Sequence, residues 1–156
     1  FYTILIFFMF NVFGLVYLGD AGTYAISLLL GTFLIEFHST NDLVSPYYIA
    51  VILWYPAFEN LFSLLRRIIR KKEVSNADNH HLHQLIFLFL KSKNIFSKKI
   101  LNTSTSIIIL LFNIPGIVIS NFYATKSIIL IFILFVNISF YLLFYYFFSK
   151  NFLIKK

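Results

Sequence analysis

Three of the chain's four histidines fall within four positions, His80, His81 and His83, two residues after Asp78. Imidazole binds metals and moves protons near neutral pH. Such a cluster therefore suits a metal site, or anion binding and proton transfer beside a phosphate, or is a solvated polar loop. A metal cage is the weakest of these: there is no Cys and the spacing is not a helical i, i+4 pair. Just upstream lies a basic run, Arg66-Arg67-Ile68-Ile69-Arg70-Lys71-Lys72. Arg grips phosphate oxygens bidentately. The same run also serves as a topological stop signal that meets anionic lipid headgroups.

A second feature stands far from the first. In Gly19-Asp20-Ala21-Gly22-Thr23 one carboxylate sits between two apolar stretches, bracketed by glycines. A carboxylate at that depth is costly and so is a candidate for function. Mg²⁺ takes one or two carboxylates and fills its other positions with phosphate oxygens and water, which would suit a bound diphosphate. The plain alternative is an interfacial turn in which Asp20 is solvated or caps the helix that starts near Gly22. Asn11 is expected to hydrogen-bond between helices. Glu59, after Pro56, is expected to pair with a basic residue across a helix bundle. No role is assigned to His38.

The elements that hold these residues follow from composition. The chain is 60% hydrophobic and 12% charged, against about 25% charged in an average soluble domain. Its mean hydropathy is +0.84. With no Cys, a disulfide scaffold, a thiolate metal site and a cysteine nucleophile are excluded. The expectation is an all-α polytopic transmembrane bundle. Five spans are read, near 1–18, 21–37, 43–65, 107–123 and 127–149. The short apolar run Leu85–Leu90 is expected at the interface or as a re-entrant piece. The chain is read as one transmembrane domain, 1–156, with a basic histidine loop at 66–99.

All but one of the 13 basic residues lie between spans three and four or after span five. The exception is Lys126. The positive-inside rule then makes the 66–99 loop and the Asp20 turn cytoplasmic. The net charge of +7 is explained by this topology, and no nucleic-acid module is expected.

Two segments in this order carry a family resemblance. Tyr17-Leu18-Gly19-Asp20-Ala21-Gly22-Thr23 resembles a Phe-x-Gly-Asp-x-Gly-Ser turn. Pro56-Ala57-Phe58-Glu59 running into Arg66-Arg67, then Asp78-Asn79-His80-His81-Leu82-His83-Gln84, resembles a histidine loop. Both are features of the polyprenyl-phosphate N-acetylhexosamine-1-phosphate transferases, glycosyltransferase family 4. The undecaprenyl-phosphate GlcNAc-1-phosphate branch fits best.

The resemblance implies transfer of a sugar-1-phosphate from a UDP-sugar to a polyprenyl phosphate, with release of UMP, early in cell-envelope glycan synthesis. It implies Mg²⁺, with Mn²⁺ as a substitute, at Asp20. It implies catalytic roles for Asp20, His81 and His83, and substrate contacts from Asp78, His81, His83, Arg66 and Arg67. The expected setting is the bacterial inner membrane, facing the cytoplasm, with a homodimer as one arrangement. Gln84 stands where many members carry a third histidine, Asn79 where an Arg often follows the Asp, and Thr23 replaces a Ser. The family's adjacent Asp-Asp pair is absent, so the chain is read as the C-terminal part of a longer enzyme and is expected to be inactive alone. The rival readings are a transporter or metal-handling protein built on the histidine loop, and a non-catalytic membrane scaffold.

Overall fold

The computed structural model describes residues 2–71, 80–94 and 100–153, the last three by backbone only. Six helices follow one another: α1 (Tyr2–Val12), α2 (Gly19–Thr40), α3 (Pro46–Ile69), α4 (Leu82–Ser92), α5 (Leu101–Phe122) and α6 (Ser127–Leu153). No strand occurs among the described residues. Four of the helices, α2, α3, α5 and α6, are long and apolar enough to cross a membrane. The chain is an integral membrane protein with an all-α architecture. The helices fall into two compact units, Phe1–Val44 and Ser45–Lys156.

In the first unit the apolar stretch 1–18, expected as one span, is not one helix. α1 ends at Val12 and the chain turns, with Gly14 at φ 69°. The turn is sealed locally: Gly14 N–H donates to Asn11 O at 2.9 Å, and Asn11 Nδ2 donates to Val16 O at 2.9 Å. Asn11 therefore serves its own turn rather than a neighbouring helix. α2 begins at Gly19, whose φ of +65° lies in the left-handed region that glycine adopts without a Cβ penalty.

The second unit is built from α3, α4, α5 and α6. Ser45 caps α3 by accepting from Tyr47 N–H at 3.3 Å, and Pro46 occupies the first helical turn, where no amide partner is needed. Ser45 also shares a 2.8 Å hydroxyl bond with Ser127 and donates its N–H to Ala124 O at 2.9 Å. The starts of α3 and α6 are thereby tied at one end. Val51, Leu130 and Ile133 pack into a small core close to these ties. At the other end Trp54, Leu82, Leu85, Ile86, Leu90, Leu101, Tyr141 and Phe148 form the main core. Outward-facing Leu110, Leu111, Phe132, Phe135 and Leu143 stay exposed, as suits helices whose solvent is hydrocarbon.

The run Leu85–Leu90 is the heart of α4, and its Leu85, Ile86 and Leu90 are buried. α4 packs against α5 and α6, with Leu82, Leu85 and Ile86 at most 2% exposed. Eleven residues cannot cross a bilayer, so this helix is lodged in the basic end of the bundle.

Gly116 in α5 permits the close approach of α6. A Cβ there would lie 2.6 Å from Asn137 Nδ2 and 3.0 Å from its Oδ1. Gly116→Ala is therefore expected to destabilise the protein by about 1 kcal/mol, by overpacking. In an Asn137→Ala background the same change should be neutral or stabilising. Thermal melts of the four proteins of this double-mutant cycle measure the coupling.

Candidate functional site: the histidine segment on helix α3

The buried polar side chains of α3 are Glu59, Ser63 and Arg66. Their spacing, i, i+4 and i+7, places them on one stripe of the helix. The first and last of them hold the histidine segment. Arg66 Nη1 donates to the His80 carbonyl at 2.6 Å and to the Tyr145 hydroxyl of α6. Its guanidinium also lies over the rings of Phe62 and Tyr145, 5.9 and 5.4 Å from their centroids. Glu59 Oε1 accepts from Leu82 N–H at 2.8 Å and meets His81 Nδ1 at 3.1 Å. The expected pairing of Glu59 with a basic group across the bundle is found, and its partner is His81.

This arrangement begins α4. The first amides of a helix lack internal partners. Leu82 N–H finds its acceptor in Glu59, a carboxylate placed at the positive end of α4. His81, the residue before the helix, meets Glu59 through its ring Nδ1 and also supplies the side-chain half of a capping box toward the Gln84 amide. Gln84 returns the favour by accepting from His81 N–H at 3.2 Å, the reciprocal half of a capping box. Gln84, which departs from the family pattern, thus has a local structural duty.

His83 stacks on His81, with ring centroids 5.6 Å apart and planes at 14°. The pair presents two imidazoles side by side, one held against Glu59 and one more exposed. Partial burial pulls His83 below the usual histidine value; the negative charge of Glu59 works against this, and His81 adds to it. Because the fold favours the neutral ring, the stability linked to His83 is complete above its unfolded value near 6.5. That stability is lost as acid protonates the ring. NMR titration should find His83 with a midpoint under 6.5, and Glu59→Gln should lower that midpoint further.

Arg67, half-buried, stands in the last turn of α3, and Arg70, exposed, is its C-cap. Lys91 and Lys93 follow at the end of α4. Asp78 lies outside the described residues. Asp20 belongs to the other unit, in the first turn of α2, where its charge complements the helix dipole. It is exposed and makes no hydrogen bond or ion pair among the described residues. The N-cap position is Leu18, so Asp20 does not cap the helix. The Thr23 hydroxyl donates to Gly19 O at 2.8 Å. Among the described residues no group of three His, Cys, Asp or Glu side chains is assembled as a metal cage.

Reasoning from sequence missed the two-point hold on the segment. Its signals were there: the Glu59, Ser63, Arg66 stripe, and a helix-start pattern in His81-x-x-Gln84.

No protein-family model and no solved structure matches the chain. It is 31% identical over 78 residues to a Bacillus subtilis (strain 168) protein named "Probable undecaprenyl-phosphate N-acetylglucosaminyl 1-phosphate transferase". The match covers 47% of this chain and 21% of that relative, so the chain spans about a fifth of the curated relative's length. The resemblance carried by the Asp20 turn and the histidine segment is borne out: the chain is similar in sequence to an enzyme named for that reaction.

Proposed function

We propose that this chain is part of a membrane enzyme that transfers a sugar-1-phosphate, GlcNAc-1-phosphate in the first instance, from a UDP-sugar to a polyprenyl phosphate. UMP is the leaving group. The observation that carries this reading is the stacked His81–His83 pair, fixed by Glu59 beside the basic end of the bundle. Imidazoles next to cationic side chains suit an anionic ligand such as a nucleotide diphosphate. The relative's printed name supplies the reaction class.

In this reading His81 and His83 contact the phosphates of the nucleotide sugar, and Arg67 adds positive charge. Asp78 acts with the same segment. The apolar flanks of the helices accept the polyprenyl chain as they accept lipid. The site faces the cytoplasm of a bacterial inner membrane, and the charge bias of the loops supports the cytoplasmic side.

Asp20 fits Mg²⁺ as a single ligand, since its exposed carboxylate is not engaged elsewhere among the described residues. Phosphate oxygens and water would complete the coordination, and Mn²⁺ could replace Mg²⁺. Bound there, the ion supplies charge neutralisation for the transferring phosphoryl group.

The test is UMP release by membranes carrying the full-length protein, given UDP-GlcNAc, undecaprenyl phosphate and Mg²⁺. Release with UDP-GlcNAc supports the reading. Release only with another UDP-sugar keeps the reaction and changes the sugar. No release with any UDP-sugar, from correctly inserted protein, overturns it in favour of the transporter or scaffold reading.

A further inference from the structure

The bundle interior encloses oxygen atoms that the protein itself leaves unpaired. Glu59 is 6% exposed and lies on α3, a helix long and apolar enough to cross a bilayer. Its Oε1 accepts from Leu82 N–H at 2.8 Å and meets His81 Nδ1 at 3.1 Å. Its Oε2 is buried without a hydrogen-bond partner, and so are the hydroxyls of Tyr55 and Tyr141. A buried polar atom left in that condition carries the full cost of its lost hydration.

The three oxygens belong to one place. Tyr55 stands one turn before Glu59 on α3, at i, i+4 spacing, so the two side chains share a face. Tyr141, on α6, is 0% exposed. Its ring meets Trp54, Phe58 and Phe62 edge-on, with centroids 6.4, 5.1 and 5.5 Å away, and lies 6.3 Å from the Tyr55 ring. Both hydroxyls come close enough to interact with the Glu59 carboxylate, yet neither completes a well-formed bond to it. One acceptor and two phenols, each able to donate, thus converge without pairing.

We propose that Glu59 Oε2, Tyr55 Oη and Tyr141 Oη form the binding site of a single internal water molecule, which ties α6 to the carboxylate that begins α4. The water donates to Oε2 and accepts from both phenols, about three bonds being usual for an internal water. A divalent cation such as Mg²⁺ is a poorer occupant, because it takes about six oxygens and the site offers only these. The water makes one carboxylate serve two helices: Oε1 holds the start of α4 and Oε2 is held from α6. This inference stands apart from the transferase reading.

The test uses the full-length protein in lipid nanodiscs, with Tyr55→Phe, Tyr141→Phe and the double variant. Phe keeps each ring and removes only the hydroxyl. Losing a hydroxyl bonded to water destabilises, whereas losing an orphan hydroxyl relieves a cost, so the sign of the effect separates the two. Each single variant should lower Tm by about 2–4 °C. The double variant should lose less than the sum, because both phenols serve one water. Exchange of the Leu82 amide, followed by NMR, should rise about fivefold in Tyr141→Phe as Glu59 loosens. A wild-type structure that resolves other internal waters should place a water oxygen within about 3.2 Å of all three atoms. No such density, a direct Tyr–carboxylate bond in its place, an unchanged or raised Tm in either Phe variant, or unchanged Leu82 exchange overturns the proposal. If Tyr141→Phe does not fold, the wild-type density and the Tyr55→Phe melt decide.

Discussion

Arg66→Ala should cost about 3 kcal/mol of stability and release the histidine segment from the bundle. The side chain is only 9% exposed and satisfies two groups from different parts of the chain, the His80 carbonyl and the Tyr145 hydroxyl. Truncation leaves both without that donor and removes two ring contacts. Hydrogen bonds to charged groups contribute about 1.5–3 kcal/mol each, and partly desolvated cation–π contacts about 1–2. These are not additive, so a total near 3 is expected. Arg66→Lys should rescue little, because a point charge on a flexible stem cannot reproduce a planar fork. Exposed Arg70→Ala should shift stability by less than about 0.5 kcal/mol. Thermal melts in nanodiscs, with protease cleavage between residues 70 and 80, check all three. An Arg66→Ala protein with wild-type melting and a raised KM for the UDP-sugar would instead place the guanidinium on the substrate.

Asp20→Asn should behave in the opposite way, with activity lost and the fold kept. Asp20 is exposed, and its side chain bonds to nothing else among the described residues, so stability should change by less than about 0.5 kcal/mol. A metal ligand at the transferring phosphate is worth several kcal/mol of transition-state charge stabilisation, so kcat/KM should fall by about 10³-fold. Asn keeps the size and one acceptor but loses the charge. Steady-state UMP release, with melting as the control, measures both. If Asp20→Asn and His83→Ala both retained wild-type kcat/KM, the site assignment would be wrong.

The membrane-spanning helices were legible because a bilayer demands long runs without charge, and α2, α3, α5 and α6 are such runs. The stretch 1–18 misled for the same reason: apolar composition hides a break, and Gly14 with Asn11 makes one. α4 was visible as an apolar run, but its depth was not. An amphipathic segment of its length could lie at the interface or inside the bundle, and only the packing of Leu82, Leu85 and Ile86 decides. The basic run was ambiguous in principle. Arg66, Arg67 and Arg70 have the same chemistry in sequence, and their surroundings alone separate a buried clamp from an exposed cation. Glu59 was read correctly as one half of a pair, while its partner lay 22 positions away, across a segment whose course local pattern does not encode.

The hold of Glu59 on His81 and Leu82 also sets an order of events during biogenesis. Chains emerge N-terminus first. α3 can therefore enter the bilayer before α4 has docked on it, carrying Glu59 without its native partners. The newly inserted helix is thus a precursor with an unpartnered polar group, and docking of α4 completes it. Maturation of this bundle waits on the arrival of an eleven-residue segment that supplies the missing donors. A mutation that delays α4 would leave behind a fully inserted protein that is still chemically immature.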